Sequence, residues 1–181
     1  DNMEKTKKVF LIAAITLVID QILKLVVKCN ILMSSTVTII PHFFSLTYVE
    51  NEGAAWSILE GKSVFLVIIS FLFLLFIFRC LKTDKRKTKI NVLAYGLMIG
   101  GIIGNMLDRI FYQKVIDFLS FKIFHYYFPI FNCADMAIVI GMFLFIIDVI
   151  LEGNEKTIMD EQYEKIREIS NGKNSSRRRK H

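Results

Sequence analysis

The sequence predicts an all-α membrane protein: a four-transmembrane-helix bundle carrying a small extracytoplasmic β-structured cap and an interfacial helix. Three observations lead there. The apolar residues fall in long blocks instead of alternating. The basic residues concentrate in every second inter-block segment. Most of the polar residues in and beside the blocks collect toward the outer ends of the spans. Of 181 residues 54% are hydrophobic, yet 23 are Lys or Arg and 17 are Asp or Glu. Soluble domains stay near 45–50% apolar. A chain this apolar and this charged segregates the two, into membrane and water. Two prolines and nine glycines exclude collagen-like and low-complexity classes.

Residues 1–8 hold Lys5, Lys7 and Lys8, ahead of an apolar block, Val9–Val27, broken only by Thr16, Asp20, Gln21 and Lys24. Lysines before an apolar run imitate a secretory leader. No small-x-small cleavage site follows, so the block is expected as the first membrane helix. The stretch ILMSSTVTIIPHFFSLTYVE is rich in Thr, Val, Ile and Phe, with Pro41 as punctuation, and predicts short strands. Open strand edges do not sit in lipid, so these strands belong at the interface, over the helices. Ser63–Phe78 is nearly pure Val, Phe, Leu and Ile, without the polar stripe of a soluble core helix. Val92–Leu107 is apolar and Gly-rich, broken late by Asn105. Residues 114–129 place Asp117 among apolar neighbours and then Phe124, Tyr126, Tyr127 and Phe128, which suits an amphipathic interfacial element. Ala134–Leu151 is the fourth block, interrupted by Asp135 and Asp148. A bilayer core of about 30 Å needs roughly 20 helical residues, which each block reaches or approaches with its flanks. The domain reading is a cytoplasmic N-terminus (1–8), a membrane domain (9–151, with the strands inside 29–61) and a polar, basic tail (152–181). In the tail 155–170 forms a weak amphipathic helix and 171–181 is disordered.

Charge sets the topology. Segment 79–89 carries Arg79, Lys82, Lys85, Arg86, Lys87 and Lys89 against Asp84 alone, and the tail ends Arg177-Arg178-Arg179-Lys180. Segments 29–61 and 113–131 are poor in basic residues. Basic loops stay cytoplasmic. Four spans put the N-terminus, the 79–89 loop and the C-terminus on that side, and the other two segments outside. The terminal basic run reads as an anionic-lipid contact or solubiliser, not a nucleic-acid site.

Several chemistries lack a sequence basis. Cys29, Cys80 and Cys133 are an odd number, and no His neighbours Cys133. No C-x-x-C or H-x-x-x-H spacing points to zinc, and no metal or cofactor is expected. Ionisable residues within membrane spans each cost roughly 2.5–3.5 kcal/mol on insertion scales, so each requires a reason. Asp20 and Lys24, at i,i+4, can neutralise one another. Asn51-Glu52-Gly53-Ala54-Ala55-Trp56 presents almost bare backbone, for helix packing or for a peptide. Gly100 and Gly104 form a small-xxx-small face. Asn105, Asp108 and Arg109 share one helix face, more polarity than anchoring needs. Asp117 reads by itself as a loop acid. Asn132 and Asp135 read by themselves as an N-cap and a first-turn acid. Yet all these residues map to the outer ends of the spans. There two carboxylates held close cannot both ionise easily, and such a pair can activate water and protonate a leaving amine.

The motifs DQILK, NEGAAW, GNMLDR followed by VIDF, and FNCAD resemble, in order and spacing, those of the lipoprotein signal peptidase (signal peptidase II) family, over about residues 9–151. The resemblance implies a four-helix membrane aspartyl endopeptidase with a surface β-cradle and no cofactor. Its substrate would be a diacylglyceryl-modified prolipoprotein held in membrane lipid, cut just before the lipidated cysteine. Inhibition by globomycin-type cyclic peptides follows from the same resemblance. So does a bacterial cytoplasmic membrane location with the site at the outer face. Carried over by position, the catalytic pair falls on Asp117 and Asp135. Asn51, Gly53, Asn105, Arg109 and Asn132 match substrate-site positions; Asp20, Lys24 and Asp108 match supporting ones. Cys133 occupies a variable position, and nothing in the family accounts for the tail beyond Glu152. The competing reading, a small transporter or proton-path protein, requires polar residues through the whole membrane depth. Ser63–Phe78 lacks them.

Overall fold

A computed structural model describes residues 2–53, 59, 61–84, 86 and 88–178. The element order is α1 (Asn2–Asn30), β1 (Thr36–Ile40), β2 (Phe44–Asn51), α2 (Ser63–Thr83), α3 (Lys89–Tyr112), β3 (Val115–Ile123), β4 (Tyr126–Tyr127) and α4 (Cys133–Arg178). All four helices contain stretches long and apolar enough to cross a membrane: Met3–Asn30, Ser63–Thr83, Lys89–Tyr112 and Cys133–Gly153. The chain divides into two compact units, residues 1–145 and 146–181.

Within the first unit α3 is the central helix, because its glycines let neighbours approach. A Cβ on Gly100 would meet the Ala13 carbonyl of α1 at 2.5 Å, and one on Gly101 the Ala134 carbonyl of α4 at 2.5 Å. Val9, Leu74, Ile77, Tyr95, Met98, Ile99 and Ile102 fill the space between α1, α2 and α3. The outward faces stay apolar: Leu11, Ile15, Val18, Ile22 and Leu25 of α1 are exposed, while Asp20 and Lys24 are 0% and 2% exposed. That inversion, charges inside and hydrocarbon outside, suits lipid as solvent.

The strands form one antiparallel sheet in the order β1-β2-β3-β4. The strands expected within 29–61 are β1 and β2. The amphipathic interfacial element expected over 114–129 is β3 and β4. Its β-branched and aromatic residues pair along β2, from Asn51↔Val115 to Phe44↔Phe121. Val27 at the end of α1 packs with Tyr48 and Phe118, seating the sheet on the bundle.

α4 runs as helix through the polar tail to Arg178, where the sequence predicts helix only over 155–170 and disorder from 171. No proline follows Pro129, and a helix already nucleated propagates at little cost. Residues 179–181 lie outside the described residues.

Candidate active site

The site is assembled where α3 ends, β3 begins and α4 begins. Gln113 adopts the left-handed conformation (φ 62°), and its N–H bonds the Arg109 carbonyl at 3.0 Å. This cap stops α3 and turns the chain into β3, whose third residue is Asp117. Asp117 lies opposite Val49 in the β2–β3 register and is 3% exposed. Further along, Phe118 and Leu119 donate backbone N–H bonds to the Phe131 carbonyl at 3.0 and 2.8 Å. Those bonds draw the segment before α4 against β3.

Asn132 exploits that proximity. Its Oδ1 accepts from the Asp135 N–H at 2.9 Å, and its own N–H donates to Asp135 Oδ2 at 3.2 Å. This reciprocal pairing is a capping box that starts α4. Its Nδ2 donates to Asp117 Oδ1 at 2.6 Å. Asn51 Nδ2 donates to Asp117 Oδ2 at 2.8 Å, and Asn105 Nδ2 donates to Asp135 Oδ1 at 2.7 Å. Each carboxylate is therefore held by two donors, and one of the residues supplying them is common to both. Burial pushes the Asp117 carboxyl up to about 6; the Asn51 and Asn132 hydrogen bonds oppose the rise and the Asp135 charge adds to it.

Behind the pair lies a buried ionic cluster. Lys24 Nζ sits 2.7 Å from both Asp20 Oδ2 and Asp108 Oδ2, and donates to Asn105 Oδ1 at 2.9 Å. That last bond decides which end of the Asn105 amide faces Asp135. Asp20 Oδ1 accepts from the Ala134 N–H at 2.8 Å, tying α1 to the start of α4. Gly104 is required beside it, since a Cβ would stand 2.7 Å from Asp20 Oδ2. Removing one partner from such a cluster strands a buried charge, at a cost of about 3–5 kcal/mol.

On the other side, Asn51 Oδ1 accepts from the Gly53 N–H at 2.9 Å, and the Gly53 carbonyl accepts from Arg109 at 2.9 Å. Arg109 Nε is buried without a hydrogen-bond partner among the described residues. Beside this turn Glu50 bonds Lys114 and, at 2.8 Å, the Tyr48 hydroxyl. The Lys114 hydrogen bond keeps the Glu50 carboxyl below its ordinary range, against a smaller opposing push from burial. Ala54, Ala55 and Trp56 of the same motif lie outside the described residues.

Asn51, Asn105, Arg109, Asp117, Asn132 and Asp135 line one cavity of about 420 Å³, continued by Leu66, Ile69, Phe73, Ile102, Phe128 and Ile138. Gly53 reaches the site through its carbonyl. Asp20, Lys24 and Asp108 support it from behind. Two contributors were not singled out from the sequence. Gln21 donates to Asp108 Oδ1 at 2.9 Å; its place beside Asp20, one turn before Lys24, is the signal that marks it. Ser70 lines the cavity and is the one hydroxyl between Val64 and Phe78. Among the described residues, no three His, Cys, Asp or Glu side chains converge as a metal site.

A family model described as Signal peptidase (SPase) II matches residues 12–151. Among solved structures, one described as a bacterial membrane enzyme solved by the in meso method at 2.3 Å is 34% identical. That match covers 82% of this chain and 90% of the other, with a TM-score of 0.76. A second, described in the same words at 1.9 Å, is 35% identical over 78% of this chain and 91% of the other, with a TM-score of 0.71.

Proposed function

Because this chain belongs to the signal peptidase II family, we propose that Asp117 and Asp135 are the catalytic pair of its peptidase reaction. The chain is a multi-pass membrane peptidase that processes lipoproteins. The finer reading is an aspartic endopeptidase acting on a diacylglyceryl-modified prolipoprotein and cutting before the lipidated cysteine. The observation that carries it is Asn132. One side chain caps the helix bearing Asp135 and hydrogen-bonds Asp117, so one acid on β3 and one on α4 are held as a unit.

Two carboxyls so placed share one proton, which belongs to the pair. The ionised member takes a proton from the attacking water. The protonated member polarises the scissile carbonyl and then protonates the leaving amine, with no covalent intermediate. Arg109, which lines the cavity, stabilises the developing oxyanion. Asn51, Gly53 and Asn105 position the substrate backbone. Asp20, Lys24 and Asp108 hold Asn105 in the orientation that serves Asp135. The apolar half of the cavity, along α2 and the start of α4, suits a substrate that stays embedded while its acyl chains lie in lipid. A globomycin-type cyclic peptide would compete for this space. We place the protein in the bacterial cytoplasmic membrane, with both termini and the 152–181 tail on the cytoplasmic side and the site at the outer face.

The test is cleavage of a purified precursor in its lipidated and unlipidated forms. The lipidated form loses its signal peptide at a globomycin-sensitive rate at least about tenfold above the other, because binding energy from remote groups is used at the reacting bond. Equal rates on the two forms would remove lipid recognition from the reading.

A further inference from the structure

At the end of the first unit opposite the aspartates, the first turns of α1 and the last turns of α2 enclose a second groove. Its volume is about 570 Å³, and Lys5, Lys7, Phe10, Leu81 and Lys82 line it. Both helices pack along α3, which leaves the groove between them on the flank of the bundle. Its floor is apolar. Leu81 belongs to the buried core, and the Phe10 and Phe78 rings meet with centroids 6.0 Å apart. Its rim is cationic, with the Lys7 and Lys82 side chains exposed. Lys5 is turned inward, donating to the Asp84 carbonyl at 3.2 Å and lying 5.5 Å from the centre of the Tyr95 ring. Among the described residues no acid lines the groove. The acids nearest in sequence are engaged elsewhere: Glu4 pairs with Lys8 at 2.8 Å, and Asp84 with Arg86 at 2.7 Å. Burial alone would raise the Asp84 carboxyl, but the Arg86 and Asn91 hydrogen bonds hold it well below the carboxylate range.

We propose that this groove binds one anionic phospholipid, with the phosphate between Lys7 and Lys82 and an acyl chain against Phe10. The charge complementarity is specific in depth. The ammonium groups stand where the apolar surface of α1 and α2 ends, which is where a lysine that snorkels from a membrane helix meets headgroups. A zwitterionic headgroup brings a cation of its own against that rim and is disfavoured. The aspartate site contributes nothing to the argument, so groove and peptidase reading stand or fall separately.

The experiment uses the full chain in nanodiscs of phosphatidylcholine doped with phosphatidylglycerol, with retained lipid counted by native mass spectrometry. Wild type is compared with Lys7→Ala/Lys82→Ala. A second variant, Arg79→Ala/Lys89→Ala, removes equal charge from the same end outside the groove, and Lys7→Arg/Lys82→Arg restores the groove charge. Wild type, the outside variant and the arginine variant each retain one phosphatidylglycerol. The groove variant, folded by circular dichroism, binds it at least about tenfold more weakly, the factor expected from two headgroup-level lysines. The proposal is overturned if the groove variant retains the lipid like wild type, or if the outside variant loses it equally. Equal retention of phosphatidylcholine also overturns it. So does displacement by millimolar inorganic phosphate, which would mark a bare anion site.

Discussion

Asn132 has to satisfy two geometries with one amide. Its carbonyl oxygen starts α4, and its NH₂ reaches Asp117. Serine or aspartate would cap the helix as well, but an ionised aspartate has no donor and serine would have to serve both partners from one oxygen. Asp117 itself titrates out of its ordinary range. With its carboxyl raised from 3.8 to about 6, the folded protein favours the protonated form. The stability this contributes is complete below about pH 4 and is lost as pH rises through about 6, by up to about 3 kcal/mol. In the proposed mechanism the same titration also governs cleavage. The pair works with one proton, so cleavage of lipidated precursor should follow a bell whose alkaline limb falls near pH 6. Initial rates unchanged between about pH 5 and about pH 8 would contradict a shared proton.

Helix spacing positions the pair, and Gly101 is where α3 lies against the first turn of α4. A Cβ there meets the Ala134 carbonyl at 2.5 Å and Ile138 at 2.9 Å, so Gly101→Ala moves the first turn of α4, with Asp135, away from α3. The expected result is a loss of about 1–3 kcal/mol in thermal unfolding together with a fall in kcat. Gly153→Ala, where an added Cβ meets nothing within 4 Å, should change neither. The helices were legible in the sequence because a bilayer dictates their length and apolarity, whatever packs against them. β3 was not. Val115-Ile116-Asp117-Phe118-Leu119 is a short apolar run that periodicity alone cannot assign, and its strand character comes from pairing with β2, some 70 residues away along the chain at Phe44–Asn51. The polar ends of the spans gave most of the candidate site, since amides and acids inside lipid need a reason. Gln21 and Ser70 stayed hidden because each is a single uncharged polar side chain whose role depends on what another helix brings to it.

The first unit carries polar clusters at both ends, the aspartate site at one and Asp84 with Arg86, Asn91 and Tyr95 at the other. Between them Leu74, Ile77, Met98, Ile99 and Ile102 form an apolar layer. A proton or ion path would have to cross it, which is why the peptidase reading is favoured over a transporter. The positive-inside bias predicts the orientation. A reporter active only outside the cytoplasm should work when inserted at His42, between β1 and β2, and fail when fused after His181. The reverse pattern would invert the proposed topology. Paired acid chemistry is the centre of the proposed mechanism, and turnover of lipidated precursor by Asp117→Asn and Asp135→Asn, each purified, folded and membrane-inserted, tests it most directly. Both should fall at least about a thousandfold, consistent with loss of an essential general acid or base. Turnover within a few fold of wild type in either variant would contradict it.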